Sequence, residues 1–399
     1  MREYTKVIIS KRASIREESN HPWIFDNEIE TIEGDYKNGD LVDVLSYKKK
    51  YIGTGYINDN SKIRVRIISR NTNDKFDQDF FERRVRYAID YRKDVIGDLT
   101  CTRLIFGEGD YFSGLTIDKY NKILVSEVNS LAMEQNKDII YKLIIKVLSE
   151  YGYEIDGIYE RCDSELRVKE GLDKHTGFYG KAPDYNSTVI VENDIKYYID
   201  FENGQKTGFF LDQKYNRLAI RKIAKNRSVL DCCTHTGSFA MNAYMGGAKE
   251  VTAMDISEKA LDDAKENFKL NNMNINTVCG DVFDVLKDLS ESKNKKYDFI
   301  ILDPPAFTKS RKTIDKALKG YQEINYLALK SLPRGGYFAT ASCSHFANPE
   351  LFLNAIYKAS LDAGVKLKQV SYTGAAFDHP VLIGVEETRY LKFYIFQVV

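Results

Sequence analysis

A cysteine at position 343 stands in the run TASCSHF (340–346), directly after LPRGGYF, a turn leading into a short strand-like stretch. A thiol at a strand tip has two readings: free cysteine is among the most buried residue types and fills small gaps in cores, but as a thiolate it is a nucleophile. The other cysteines, at 101, 162, 232, 233 and 279, form no CxxC pair and no zinc-like Cys/His spacing, so reduced thiols without a metal are expected. Upstream, LDPPAF (302–307) closes another apolar run. Its two prolines stiffen the backbone just after Asp303, which can then hold its carboxylate and nearby carbonyls toward a planar base. The bland alternative is a plain strand-ending turn. A thiolate at such a place opens one chemistry, beside a carboxylate motif that needs no cysteine. Carbon-5 of cytosine is a poor nucleophile toward a methyl group, and a thiolate added to carbon-6 turns the ring into an enamine.

Such groups need elements that bring them to one place. From 228 onward, strand-like runs alternate with helical periodicity: SVLDCC before SFAMNAYMGG, EVTAMD before SEKALDDAKENFKLNN, INTVCGD before VFDVLKDL, YDFIILD before TIDKALKGYQEINYLALKSL, and GYFATASCS before NPELFLNAIYKASLDAG. Five strand–helix units in succession predict an α/β fold with a doubly wound, largely parallel sheet. YLKFYIFQVV (390–399) has no helix after it and is expected as a final antiparallel strand. The front of the chain differs. YTKVIIS, GDLVDVLS, KKYIGTGYIN and KIRVRIIS read as short strands of a small β-rich module. Helical spacing within 70–95 follows, and then SGLTIDKY, KILVSEVN and IDGIYERC around the helix-like 136–152 make an α+β unit. TVIVENDIKYYIDFENGQ (188–205) turns at END as a hairpin that opens the last domain. The expected domains are 1–72, 73–187 and 188–399.

Ligands of open α/β sheets bind outside the carboxyl ends of the strands. After the first strand, DCCTHTGSFA contains Gly237 but no GxGxxG, which weakens a dinucleotide. The second strand ends in Asp255, placed to accept both hydroxyls of a ribose, and the third in Asp281, placed to accept an adenine amino group. Either acid alone could be a helix N-cap, Asp255 for ISEKALDD and Asp281 for VFDVLKDL. Taken in order, one glycine and two acids suit an adenosyl ligand without phosphate, S-adenosyl-L-methionine. Cys232 and Cys233 then lie in the loop around the methionine part, and Cys279 on the adenine side.

Composition narrows the setting. The chain has 399 residues, 43% apolar and 29% charged, with 58 basic and 58 acidic side chains, so no global basic field announces a polyanion. The local clusters YKKKY (47–51) and KIRVRIISR (62–70) could meet phosphates, although such runs are commonly solvated faces. No segment has the roughly 20 apolar residues of a membrane span, and MREYTKVIISKRASIREESN lacks the apolar core of a secretion signal. A cytoplasmic protein is expected.

The motif D/N-P-P-aromatic resembles that of methyltransferases acting on exocyclic amino groups of bases, where Phe307 would stack on the ring and Asp303 would accept from the nitrogen. More broadly, NGQKTGFFLDQKYNR (203–217), VLDCCTHTGSFA, LDPPAF, KGYQEIN (319–325), SCS (342–344) and FDHP (377–380) resemble the RlmI-like family of 23S ribosomal RNA methyltransferases, whose namesake makes 5-methylcytosine. The resemblance spans essentially the whole chain. NHPWIFDNEI and GDLVDVLS look like the family's RNA-binding PUA β-barrel, and RLIFGEGDYFSGLTIDKY like its central α+β domain. It implies a Rossmann-like class I methyltransferase domain at the C-terminus, 23S rRNA as partner, and a chain compatible with homodimerisation. It also implies that Thr236, Gly237, Asp255, Ile256, Asp281 and Asp303 hold the cofactor, that Cys343 and Asp303 are catalytic, and that Lys206, Pro304, Pro305, Phe307 and Tyr321 bind substrate. Gln205 to Gln213 would close over the site, where the residues alone predict an ordinary loop and helix start. Cys233 and His235 stand where the family usually has aromatics. His235 and His345 are candidate bases, though a lone histidine is more often a structural hydrogen-bonder. Two alternatives stay open: methylation of a guanine or adenine nitrogen with Cys343 merely packing, and an inert RNA-binding or ribosome-assembly protein.

Overall fold

The structure, a computed structural model, describes residues 4–17, 20–202, 204, 207–308 and 311–399. The chain forms two compact units: Met1–Ile190 with Ile199–Leu211 and Phe377–Thr388, and Val191–Tyr198 with Asp212–Ala376 and Arg389–Val399.

The first unit contains a six-stranded sheet in the order Trp23–Phe25, Ile63–Ser69, Tyr51–Ile57, Leu41–Leu45, Thr5–Ile9, Ile29–Glu33. Its core is β-branched and aliphatic, with Val7, Ile9, Ile24, Val42, Val44, Ile57 and Val65 buried. Trp23–Phe25 and Ile29–Glu33 carry too little alternation to be legible as strands. The basic run at 62–70 does not offer its arginines to phosphate. Arg64 pairs with Asp26 and Asp59, Arg66 with the buried Glu170, and Arg70 donates to the carbonyls of Ile52 and His21. Lys48, Lys49 and Lys50 are exposed.

A five-stranded sheet follows, ordered His175–Tyr179, Gly157–Cys162, Ile123–Val128, Leu115–Tyr120, Cys101–Phe106. It shares a core with helices Gln78–Val95 and Leu131–Glu150. The second helix starts ahead of its apolar periodicity because the Ser130 side chain caps it at the Met133 N–H. Glu160, Cys162 and His175 come together across two of these strands, a juxtaposition that sequence spacing does not disclose. The Lys137 ammonium and the Tyr141 hydroxyl, each 2.9 Å from Glu160 Oε1, already serve that carboxylate.

A two-stranded sheet pairs Ser187–Glu192 with Ile195–Asp200. The expected turn is present, with φ of 53° at Asn193 and 62° at Asp194, the left-handed pair that a tight hairpin needs.

In the second unit, helix α1 (Lys214–Ala224) leads to a seven-stranded sheet. Its strands are β1 (Ser228–Cys232), β2 (Glu250–Asp255), β3 (Asn276–Cys279), β4 (Phe299–Leu302), β5 (Tyr337–Ser342), β6 (Leu367–Thr373) and β7 (Lys392–Val398). The order is β3-β2-β1-β4-β5-β7-β6, parallel from β3 to β5 and antiparallel at β7 and β6. The crossovers are α2 (Ser238–Met245), α3 (Glu258–Leu270), α4 (Val282–Glu291), α5 (Ile314–Ser331) and α6 (Pro349–Asp362), which joins β5 to β6. This is the doubly wound sheet that five strand–helix units predict, with β7 antiparallel as expected. β4, FIIL, is wholly buried, as a strand covered on both faces must be. β6, LKQVSYT, is the edge strand and largely exposed, so its sequence has no apolar run to announce it. Strand order reverses between β1 and β4, and the carboxyl ends of these two strands mark the crevice where such sheets bind ligands.

Candidate active site

The loop after β1 is built from left-handed backbone. Cys233, His235 and Gly237 have φ of 59°, 52° and 81°, and two of these are non-glycine residues in a conformation that costs energy. Gly237 opens α2, and a Cβ there would lie 2.3 Å from Phe268 Cε1, so only glycine fits. The Thr236 carbonyl accepts from Asn267 on α3 at 3.1 Å. Asp255, at the end of β2, holds this loop: its Oδ2 accepts the His235 N–H at 2.9 Å and its Oδ1 the Ser257 N–H at 3.0 Å. Asp255 is therefore not the cap of α3, a position that Ser257 takes. Asp281 does cap α4, accepting from the Phe283 N–H at 2.7 Å, and remains exposed beyond β3. Ile256 is 70% exposed between the two acids.

Asp231, inside β1, is fully buried. Its Oδ2 accepts from Thr234 Oγ1 at 2.5 Å and from the Ala240 N–H at 2.9 Å, while Oδ1 is buried with no hydrogen-bond partner among the described residues. Burial raises this carboxyl to about 7, and the charges of Asp303 and Asp255 add to the rise. The Cys233 thiol is pushed well up by burial and then by Asp255, Asp303, Asp231 and Asp281. The carboxylates of Asp255, Asp281 and Asp303 thus stand at the mouth of β1 to β4 with the buried Asp231 behind them, and the crevice fits a cation. An exposed aliphatic side chain between two acceptor carboxylates fits an adenosine. S-Adenosylmethionine carries both, a cationic ammonium and sulfonium beside an adenosine.

The neighbouring strands bring the second half of the site. β4 and β5 run parallel with Leu302 opposite Thr340, so Asp303 and Cys343 leave adjacent strands at the same edge. Asp303 Oδ2 accepts from the Gln213 side-chain amide at 2.9 Å, and Gln213 is held in turn by Asn216 on α1, at 2.7 Å. Pro304 is buried and Pro305 exposed. Half-buried Cys343 sits between two buried serines that tie its loop down. Ser342 Oγ donates to the Tyr321 hydroxyl on α5 at 3.0 Å, and Ser344 Oγ donates to the Thr308 carbonyl at 3.3 Å. Tyr321 and Cys343 interact electrostatically, as do Tyr321 and Asp303.

The chain has relatives among known proteins. Residues 7–70 match a PUA-like domain and residues 177–356 an S-adenosylmethionine-dependent methyltransferase. Ribosomal RNA large subunit methyltransferase I of Aeromonas salmonicida is 38% identical, over 93% of this chain and 94% of its own. Its counterpart in Aeromonas hydrophila is 39% identical with the same coverage. The chain belongs to this family. Among solved structures, SMU.776, named as a methyltransferase and complexed with SAH, has the same fold, with a TM-score of 0.83 at 22% identity over 98% of this chain and 100% of that one.

As a member of the ribosomal RNA large subunit methyltransferase I family, the protein is an S-adenosylmethionine-dependent methyltransferase with a PUA-like domain ahead of a Rossmann-like sheet. The structure brings Thr236, Gly237, Asp255, Ile256, Asp281 and Asp303 to one edge of that sheet, with Cys343 and Pro304 to Phe307 beside them. Lys206 and Gln205 lie outside the described residues. Tyr321, expected at the substrate, is fully buried, and its hydroxyl holds the Cys343 loop from beneath. The Phe307 ring, expected to stack on a base, packs on Tyr321 at 4.6 Å between centroids. His235 contributes its backbone N–H to Asp255, and His345 lies 5.6 Å from the Tyr390 ring. Asp231 and Asn216 escape sequence reading, the first because it looks like an interruption in a core strand, the second because nothing local marks it.

Proposed function

We propose that the protein methylates carbon-5 of a cytosine in large-subunit (23S) ribosomal RNA through a covalent Cys343 adduct, in the cytoplasm. The observation that carries this reading is the shared edge of Asp303 and Cys343 on adjacent parallel strands, next to the acid-lined crevice. The names of the relatives support the substrate class, and the exposed Lys48 and Lys50 on the PUA-like domain supply cations for a phosphate backbone, while Lys49 pairs with Glu33. We assign 1–72 to RNA binding, 73–187 to the central α+β domain and 188–399 to methyl transfer.

In this mechanism Gly237, Asp255, Ile256 and Asp281 would hold the adenosine end of S-adenosylmethionine, and Asp303, with Asp231 buried behind it, would stand toward its cationic end. The bound cofactor supplies an electrophilic methyl group. Asp303, fixed by Gln213 and the two prolines, accepts from the cytosine amino group and orients the ring. The Cys343 thiolate adds to carbon-6, and the electron pair of the 5,6 double bond moves to carbon-5, which becomes nucleophilic. Once carbon-5 carries the methyl group, a base takes the carbon-5 proton, and the C–H electron pair restores the double bond as the thiolate leaves carbon-6. The packing of Phe307 against Tyr321 leaves less of that ring for stacking on a base, which weighs against methylation of a ring or exocyclic nitrogen. The test is to digest methylated rRNA to nucleosides and identify the product by mass, with wild type and Cys343→Ala. The reading expects 5-methylcytidine from wild type and no turnover from the variant. An N-methylated purine, or wild-type turnover by Cys343→Ala, overturns it.

A further inference from the structure

Lys392 opens β7 opposite Ser342 of β5 and is fully buried, a rare state for a lysine. Among the described residues no carboxylate hydrogen-bonds or pairs with its ammonium. Instead Nζ donates to the Ser344 carbonyl at 2.6 Å and to the Tyr390 carbonyl at 2.8 Å. Ser344 directly follows Cys343, so the ammonium lies against the backbone that carries the thiol. Burial brings the Lys392 amine down to about 8, and the opposite charge of Cys343 raises it in part.

We propose that Lys392 is the positioning residue of the nucleophile: it anchors the Cys343 loop through Ser344, and its buried charge favours the thiolate. The inference rests on the reading of Cys343 as nucleophile. Two carbonyls occupy two N–H bonds, and both a neutral amine and an ammonium can supply two. Lys392 therefore keeps both anchors in either protonation state, and as the ammonium it sets a positive charge beneath the thiol loop. The thiolate that leaves carbon-6 at the end of a cycle returns to the same cation, so Lys392 stays protonated between turnovers. The other titratable groups around the thiol are Asp303 after β4, Tyr321 on α5, and His345 and Tyr390 on the flanking loops. Asp303 disfavours a thiolate, and Tyr321, lifted to about 12 by burial, stays neutral. A buried cation beneath the loop offsets the nearby carboxylate.

The test is the pH profile of Cys343 alkylation by iodoacetamide in the full chain, followed at the Cys343 peptide by mass, which needs no RNA and no turnover. Lys392→Gln is expected to move the midpoint up by about one pH unit or more, slowing alkylation at pH 7 by about tenfold, and Lys392→Arg to restore most of it. Superimposable profiles of wild type and folded Lys392→Gln overturn the proposal. If neither variant folds, the wild-type profile decides: a midpoint below the free-thiol value of about 8.5 supports the proposal, and one at or above it refutes it. The two claims fail separately. An active Cys343→Ala with a shifted profile removes the covalent reading and keeps the role of Lys392; an inactive Cys343→Ala with unshifted profiles removes the role of Lys392 alone.

Discussion

Ionisation of Asp231 ties cofactor binding to pH. Its carboxyl, at about 7 in the folded protein, lies above the usual aspartate range, so the native state binds its proton more tightly than the unfolded chain. The cofactor-free protein is therefore favoured while Asp231 is protonated and loses that stability as pH rises from about 4 to about 7. A bound cation favours the ionised form, so affinity for S-adenosylmethionine rises over the upper part of that window and levels above it. Calorimetry should show binding about tenfold tighter at pH 8 than at pH 6, with Asp231→Asn flattening the part due to this group. Matching pH profiles for wild type and variant would refute it. Asp255, Asp281, Asp303 and Cys343 were legible because a residue where an apolar run stops is visible as such. Asp231 and Lys392 sit inside strands, where burial of a charge depends on what the neighbouring strands bring against it, and the local sequence carries no mark of that.

At the level of elements, the start of α1 sets the position of Asp303. Gln213 joins the end of β4 to Asn216, and Asn216 donates to the Gly374 carbonyl at 3.1 Å and accepts from Thr373 at the end of β6, at 2.6 Å. Gln213→Ala should leave the S-adenosylmethionine dissociation constant within about twofold while lowering kcat by about tenfold to a hundredfold, the cost of a misoriented reacting group. Equal losses in cofactor binding and turnover would place Gln213 on the cofactor instead. The parallel strands and their crossover helices were legible because strands covered on both faces read as continuous apolar runs. β6, Trp23–Phe25 and Ile29–Glu33 were not, since short or edge strands owe their place to a partner's backbone and not to their own side chains. The front of helix Leu131–Glu150 was missed for a similar reason, its cap lying outside the apolar period.

Across the whole molecule the chain order of the units is interleaved. Phe377–Thr388, which carries FDHP, belongs to the first unit although the second flanks it on both sides in sequence. Asp378 anchors this segment: buried, it accepts from Thr102 Oγ1 at 3.0 Å, the Arg103 N–H at 2.9 Å and His379 Nδ1 at 2.8 Å. Burial alone would raise its carboxyl, but His379 and these hydrogen bonds outweigh it and hold the group well below the usual range. Its contribution is present above about pH 4 and is lost as pH falls toward the folded value. Asp378→Ala should cost about 3–5 kcal/mol and blunt acid unfolding, measured by urea titration at several pH values. An unchanged midpoint would refute that role. The account of the whole protein turns on covalent catalysis at Cys343, and the most direct measurement is mass spectrometry of the protein after reaction with S-adenosylmethionine and rRNA carrying 5-fluorocytosine. Fluorine cannot leave carbon-5 as a proton does, so the account predicts a stable RNA adduct on the Cys343 peptide; methylated RNA with no adduct on that peptide would contradict it.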